Sequence, residues 1–287
     1  MFSVNERSGL IPTLELGDSD APSSVTLAPS RGGMAIHFTA RGREVFFLDQ
    51  KTFSDPAANV RGGNPVLFPS PGKLTSDRWS HQGRSGSMKQ HGFARNLPWE
   101  IAHTGRDGAA RATLRLRSTA VTRAEYPWDF VAEYTYALAG ARLAIEQRFT
   151  NESSEPMPFG AGFHPYFHVP QEEKAGARIP TASTRAFDNV QKRQVPFGGF
   201  DLTQKEVDLH LLDHGSTGAT LVLPGGAATT VSGSSEFTHW VVWTLAGRDF
   251  VCVEPWTCPG DALNTGERLL SVAPGETREL RVEIRAT

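Results

Sequence analysis

Cysteine is scarce in this chain. Cys252 and Cys258 are the only two among 287 residues, too few for a disulfide framework, and their C-x5-C spacing is not a zinc pattern. Both are expected to be free thiols in a reducing compartment. A long apolar run is missing too: none reaches the ~18–20 residues of a membrane-spanning helix. The opening residues, MFSVNERSGL, show no basic stretch followed by an apolar one, so no signal peptide is expected and the cytoplasm is the expected location. Nor is there an excess of charge. The formal net charge of -2 argues against a basic nucleic-acid-binding domain.

Helical periodicity is also absent over any convincing length, and strand signals recur instead. Met34, Ile36 and Phe38 alternate with small or polar neighbours, and Arg41-Gly42-Arg43 reads as a turn into Val45–Leu48. Ala112, Leu114 and Leu116 alternate with Thr113, Arg115 and Arg117, the pattern of a half-solvated strand. Phe130, Ala132, Tyr134 and Tyr136 share a face, as do Leu143, Ile145, Gln147 and Phe149 after the turn at Ala139-Gly140. Further strands are expected over Ala219–Leu223, His239–Leu245 and Glu279–Ile284, the last with Leu280, Val282 and Ile284 inward. Many strands with abundant glycine and proline predict an all-β sandwich or barrel. No composition break, internal repeat or low-complexity tract divides the chain, so residues 1–287 are expected to form a single domain.

Ser54–Arg95 is long and lacks an obvious pattern, which in a compact domain marks a functional or a disordered loop. Phe68, Leu74, Trp79 and Phe93, with Trp99 just beyond, argue against disorder. From Lys73 onward its charges are lopsided: Lys73, Arg78, Arg84, Lys89 and Arg95 against Asp77 alone. It reads either as a solvated hairpin or as a rim that attracts anionic or polyhydroxylated ligands.

The stretch DFVCVEPWTCPGDALNTGE, Asp249–Glu267, draws the most attention. Phe250, Cys252 and Glu254 fall on one face of a strand that is expected to stop at Glu254-Pro255-Trp256. A carboxylate at the end of an apolar strand is costly unless solvated, paired or used. Three other places set polar groups beside glycine, proline or aromatics: Arg61-Gly62-Gly63, His91-Gly92-Phe93-Ala94-Arg95 and Gly162-Phe163-His164-Pro165-Tyr166-Phe167. Aromatic faces together with His, Arg and carboxylate groups suit a sugar, whose ring stacks and whose hydroxyls take directional hydrogen bonds. Competing motifs fail. His164 and His168 have i, i+4 spacing but Pro165 lies between them, without the glutamate of a zinc helix. Gly86-Ser87 lacks the nucleophile-elbow context, and no phosphate loop or dinucleotide fingerprint is present.

With RGGNPVLFPSPGKL, HGFARNLPW, GFHPYF and FVCVEPWT in that order, the chain resembles the aldose 1-epimerases of the galactose-mutarotase superfamily across most of its length. The resemblance implies a large antiparallel β-supersandwich with the site on its concave face, acting on a small-molecule aldose without metal or cofactor. It implies Glu254 as general base and His164 as general acid. Arg61 and His91 match substrate-binding positions, and Arg95 closes the second segment beside them. A binding aspartate is expected shortly before a later strand, where VDLHLLDHGSTGATLVLP offers Asp208 and Asp213; the spacing suits Asp208.

The implied chemistry opens a cyclic hemiacetal and recloses it on the other face. A carboxylate takes the anomeric hydroxyl proton while an acid protonates the ring oxygen. This reading expects an ionised Glu254 and a protonated His164, each helped by the other's charge if they are close. The reading taken is a hexose 1-epimerase, monomer or homodimer, with no membrane or nucleic-acid partner. Its rivals are a hexose-6-phosphate epimerase that uses the Lys73–Arg95 cations, a non-catalytic sugar-binding protein on the same fold, and a purely structural β domain.

Overall fold

A computed structural model describes all residues, 1–287, and nearly every regular element in it is a strand. All named strand pairs are antiparallel, and the helices are short: Gln50–Ser54, Ala120–Glu125 and Ala262–Thr265. The first five strands, from Phe2–Arg7 to Arg43–Glu44, form a meander in chain order. Two larger sheets follow. A seven-stranded sheet runs in the order Gly218–Val222, Ala228–Gly233, Thr277–Ala286, Arg142–Asn151, Phe130–Ala139, Ala110–Arg117, Glu100–Gly105. An eight-stranded sheet runs Arg193–Pro196, Arg185–Asp188, Glu206–Leu211, His239–Leu245, Phe250–Trp256, Gly162–Phe163, Val66–Leu67, with Tyr166–His168 also paired to Phe250–Trp256.

The expected alternations hold. Phe130, Ala132, Tyr134, Tyr136 and Leu138 are buried, and so are Leu280, Val282 and Ile284. Cross-strand rows such as Tyr136–Ile145–Val282 line one face of the seven-stranded sheet, since opposed residues on antiparallel strands share a face. That face packs on the eight-stranded sheet through aromatic rings: Tyr134 meets Phe163 edge-on at 5.7 Å, and Phe68 stacks on Phe149 at 5.1 Å. Apolar area removed from water here, worth roughly 25 cal/mol per Å2, is the main stabilising term.

Two expectations need correction. The Phe250 strand does not stop at Glu254; it continues through Pro255 to Trp256, with all seven residues buried. The strand survives its proline because its partner on that side is interrupted. Gly162 pairs with Trp256, and Tyr166 pairs with Cys252, but His164 and Pro165 between them carry no named pairing. The missing N–H of Pro255 thus costs no ladder bond on that flank. Ser54–Arg95 is not one loop: Val66–Leu67 joins the eight-stranded sheet, and Arg78–His81 and Arg84–Ser87 form a separate hairpin. Asp208 precedes the expected later strand, Gly218–Val222, and itself lies inside another, Glu206–Leu211. Both cysteines are free, as expected, and both are buried.

Candidate active site

Alternation along Phe250–Trp256 sorts its side chains between two environments. Val251 and Val253 enter the main core, whereas Phe250 and Cys252 pack with Tyr166, and Trp256 with Leu67 and Val241. Glu254 therefore projects from the face opposite the core. Register extends that face across the sheet: Val241 and Trp243 oppose Glu254 and Cys252, while His210 and Asp208 oppose Val241 and Trp243. A cavity of about 830 Å3 opens on this face, within the usual range of small-molecule sites.

The interrupted partner strand supplies the second key group. The register on either side of the interruption has the same phase, and carried across, it sets His164 directly opposite Glu254. The backbone N–H of His164 donates instead to Pro65 O at 3.1 Å. Nε2 of His164 lies 3.4 Å from Oε1 of Glu254. Trp256 Nε1 donates to Oε2 of the same carboxyl at 3.1 Å. Glu254 is 1% and His164 8% exposed.

Burial decides the charge of this pair. It drives the Glu254 carboxyl well above its ordinary value; the Asp208 charge adds to the rise, while the Trp256 N–H and Arg95 oppose it. Burial drives the His164 imidazole well below its ordinary value, with His91, Arg95 and Arg61 pushing the same way. A buried ion pair repays its desolvation only with good hydrogen bonding, and no such bond joins these two groups. Both shifts oppose the expected ionised Glu254 and protonated His164 and favour the neutral form of the pair, with the carboxyl protonated.

Around the pair stand the other residues singled out in the sequence. His91 lies in the left-handed region, φ 72°, and its Nδ1 donates to Pro71 O. That bond leaves Nε2 as an acceptor, 3.1 Å from the Gln90 amide. Burial, then the charge of Arg95, pushes His91 down to about 3, so it is neutral at any ordinary pH. Gly92 follows because a Cβ there would strike the Phe68 carbonyl. The Arg95 head donates to Gln90 O at 3.3 Å, while its Nε is buried without a partner. Arg61 sits over the Trp243 ring at 5.8 Å.

Asp208 lines the cavity; its Oδ2 accepts from Asn189 at 2.6 Å. Asp213 does not line it. Its carboxylate accepts from Ser183, Thr184 and the Arg185 backbone, bonds that hold it below the usual carboxylate range. Of the five basic residues between Lys73 and Arg95, Lys73 and Arg95 line the cavity. Arg84 is tied to Glu155 at 2.5 Å, and Arg78 lies by the separate hairpin. The cavity instead draws cations from elsewhere in the chain, Lys192 and Arg268.

Trp243, His210 and His239 also line the cavity and were not picked out from the sequence. The signal was there: period two in VDLHL puts His210 beside Asp208, and in HWVVW it puts His239 on the same face as Trp243. His164, Cys252 and Glu254 bring ligand-type atoms within 4.8 Å of one another, the group that would take an ion if one bound. Burial holds the Cys252 thiol well above its usual value, so ligation there would first have to remove its proton.

The arrangement can move protons between a carboxyl and an imidazole across a bound polyhydroxylated ring, with Trp243 and Tyr166 as apolar platform. The model of the aldose 1-epimerase family matches residues 28–285. A crystal structure of a Synechocystis protein is 36% identical with a TM-score of 0.92, over 96% of this chain and 95% of that one. A galactose mutarotase-like protein from Clostridium acetobutylicum superposes over 100% of this chain and 98% of its own, with TM-score 0.85 at 16% identity, a likeness of fold. A Salmonella typhimurium protein provisionally named glucose-6-phosphate 1-epimerase is 28% identical over 148 residues, 51% of this chain and 45% of that protein.

Proposed function

The chain belongs to the aldose 1-epimerase family, and from that premise we propose that it interconverts the α and β anomers of a hexose, with Glu254 and His164 as the proton-transfer pair. The observation that carries this is the register that sets His164 opposite Glu254, 3.4 Å apart on the cavity face. Movement of the shared proton from Glu254 to His164 creates the working form. Glu254 then takes the anomeric hydroxyl proton as His164 protonates the ring oxygen, and the C–O bond of the ring breaks to the open aldehyde. Rotation about the bond to the aldehyde carbon and reversal of both transfers give the other anomer. No step calls for a metal or a cofactor.

Arg61, His91, Arg95 and Asp208 hold the hydroxyls and ring oxygen. Arg95 donates to a hydroxyl oxygen, and a hydroxyl that donates to His91 Nε2 takes the place of the Gln90 amide bonded there. On this reading residues 1–287 form one domain, monomeric or homodimeric, that acts in the cytoplasm without a membrane or nucleic-acid partner. No helix is long and apolar enough to cross a membrane.

A free hexose is the leading substrate. A second reading, a hexose 6-phosphate, is favoured by Lys73, Lys192 and Arg268 on the cavity and by the name of the Salmonella relative. The test is polarimetry on fresh anomers of glucose, galactose and glucose 6-phosphate at two salt concentrations. A free-sugar enzyme shows comparable efficiency on the neutral sugars and little salt effect. A phosphate preference that salt erodes and Lys73→Gln abolishes would replace the leading reading by the second. No acceleration on any aldose would sink both.

A further inference from the structure

Two histidines that the ring opening does not use form a chain with a single polarity beside the cavity. His239 Nδ1 lies 3.3 Å from Nη2 of Arg268, and His239 Nε2 lies 2.8 Å from Nδ1 of His210. His210 Nε2 lies 3.5 Å from Oδ1 of Asp208. A guanidinium only donates, so His239 Nδ1 accepts and the proton of neutral His239 sits on Nε2. His210 Nδ1 accepts that proton's bond in turn, which leaves its own N–H on Nε2, facing Asp208. One cation at the far end thus sets the direction of both hydrogen bonds and turns the His210 N–H toward Asp208. Burial, with His210 and Arg268 acting the same way, keeps His239 well below its ordinary value and therefore neutral.

We propose that His239 and His210 are positioning residues: anchored on Arg268, they fix how Asp208 presents its carboxylate to the sugar, a role that rests on the ring-opening reading above. Asn189 donates to the other oxygen of Asp208 at 2.6 Å, so one carboxylate oxygen is bonded, the other is faced by the His210 N–H at 3.5 Å, and the remaining lone pairs serve the cavity. The same histidines also touch Trp256, His239 stacked at 5.7 Å and His210 edge-on at 5.4 Å, and Trp256 donates to Glu254. A packing role would act through that indole; a positioning role acts through Asp208.

His239→Phe separates the two, because phenylalanine keeps a ring against Trp256 and removes both nitrogens. His239→Gln restores an acceptor and a donor. Kinetics are measured for wild type, His239→Phe, Asp208→Asn and the double variant on the aldose that wild type turns over best. The expected result is a KM raised about tenfold in His239→Phe, a nearly unchanged kcat, recovery of most of the loss in His239→Gln, and a double variant no worse than Asp208→Asn alone. Full additivity, or a loss in kcat with KM unchanged, overturns the proposal. If His239→Phe does not fold, Arg268→Met carries the same cycle from the other end of the chain. Nitrogen-15 NMR of the histidine rings in wild type reads the tautomers without any turnover. Nε2–H on both rings is expected, and an Nδ1–H on either contradicts the chain. Inactive wild type with both rings as Nε2–H would overturn the ring-opening reading and the role built on it while leaving the bonding intact.

Discussion

The outer face of the seven-stranded sheet and the cavity face of the eight-stranded sheet obey the same period-two rule with opposite results. On the outer face, polar side chains satisfy one another across strands. Arg115 lies 2.8 Å from Glu133 and 3.1 Å from Glu100, Thr113 bonds Thr135 at 2.8 Å, and Thr150 bonds Thr277 at 2.8 Å. On the cavity face, polar groups are buried and partly unmatched: His164 Nδ1 and Arg95 Nε have no partner, and Glu254 and His164 approach without a hydrogen bond. Water screens the first face, so its pairs matter little. The second face holds its groups at a cost in stability that a bound ligand can offset. What distinguishes a site from a decorated sheet here is incompleteness, not charge.

Removing a cavity-face group should therefore cost activity far more than stability. Glu254→Gln keeps the shape but cannot accept a proton, and the rate of anomer interconversion should fall by about 10²–10⁴-fold with the thermal melt at least as high as wild type. His164→Asn should behave alike. A variant at nearly the wild-type rate in a polarimeter would erase the contrast between the faces.

The pH profile sharpens it next. With Glu254 raised and His164 lowered, the active form carries one proton on the pair. As pH falls, His164 gains a second proton and the rate drops; as pH rises, Glu254 loses its proton and the rate drops again. The acid limb thus belongs to His164 and the basic limb to Glu254, the reverse of the assignment that their ordinary values suggest. NMR titration should find the His164 ring neutral at pH 7, and a protonated ring there would restore the ordinary assignment.

A smaller effect is expected at His91. His91→Asn should raise KM by about tenfold with little change in kcat. Stability follows its own sign. His91 is depressed to about 3, so its contribution is present above its unfolded value of 6.5 and is lost as pH falls from there toward 3. The drop in melting temperature on acidification should accordingly be shallower in His91→Asn than in wild type. An unchanged KM would remove His91 from the sugar site.

The smallest effect belongs to the outer face. Arg115→Gln should change stability by less than about 1 kcal/mol in a denaturant melt and leave turnover as it was. A large loss of activity would show that the two sheets are coupled in a way the packing does not suggest.

The two faces also differ in how far the sequence discloses them. Leu280, Val282 and Ile284 announce their strand because bulk water and a dry core select opposite residue types. Phe250, Cys252 and Glu254 could be put on one face for the same reason, and the four ordered motifs named the family. Asp208 and His210 were harder to place, since aspartate favours turns and their face of the strand Glu206–Leu211 meets a cavity rather than core or solvent. Cation placement was legible only where a motif carried it, at Arg61 and Arg95. Arg84 and Arg95 look alike in the chain, yet one meets Glu155 and the other lines the cavity, where it is joined by Arg268 from a distant segment. Topology decides that, and so do the charges of the Glu254–His164 pair, which depend on burial that no local pattern records.

Exchange between anomers at equilibrium tests the central claim most directly. In NMR exchange spectra of glucose, galactose or glucose 6-phosphate with the wild-type protein, cross-peaks should join the α and β anomeric protons of at least one sugar, at a rate proportional to enzyme concentration and lost in Glu254→Gln. Exchange no faster than in buffer for every sugar tried, from a folded protein, would contradict the account.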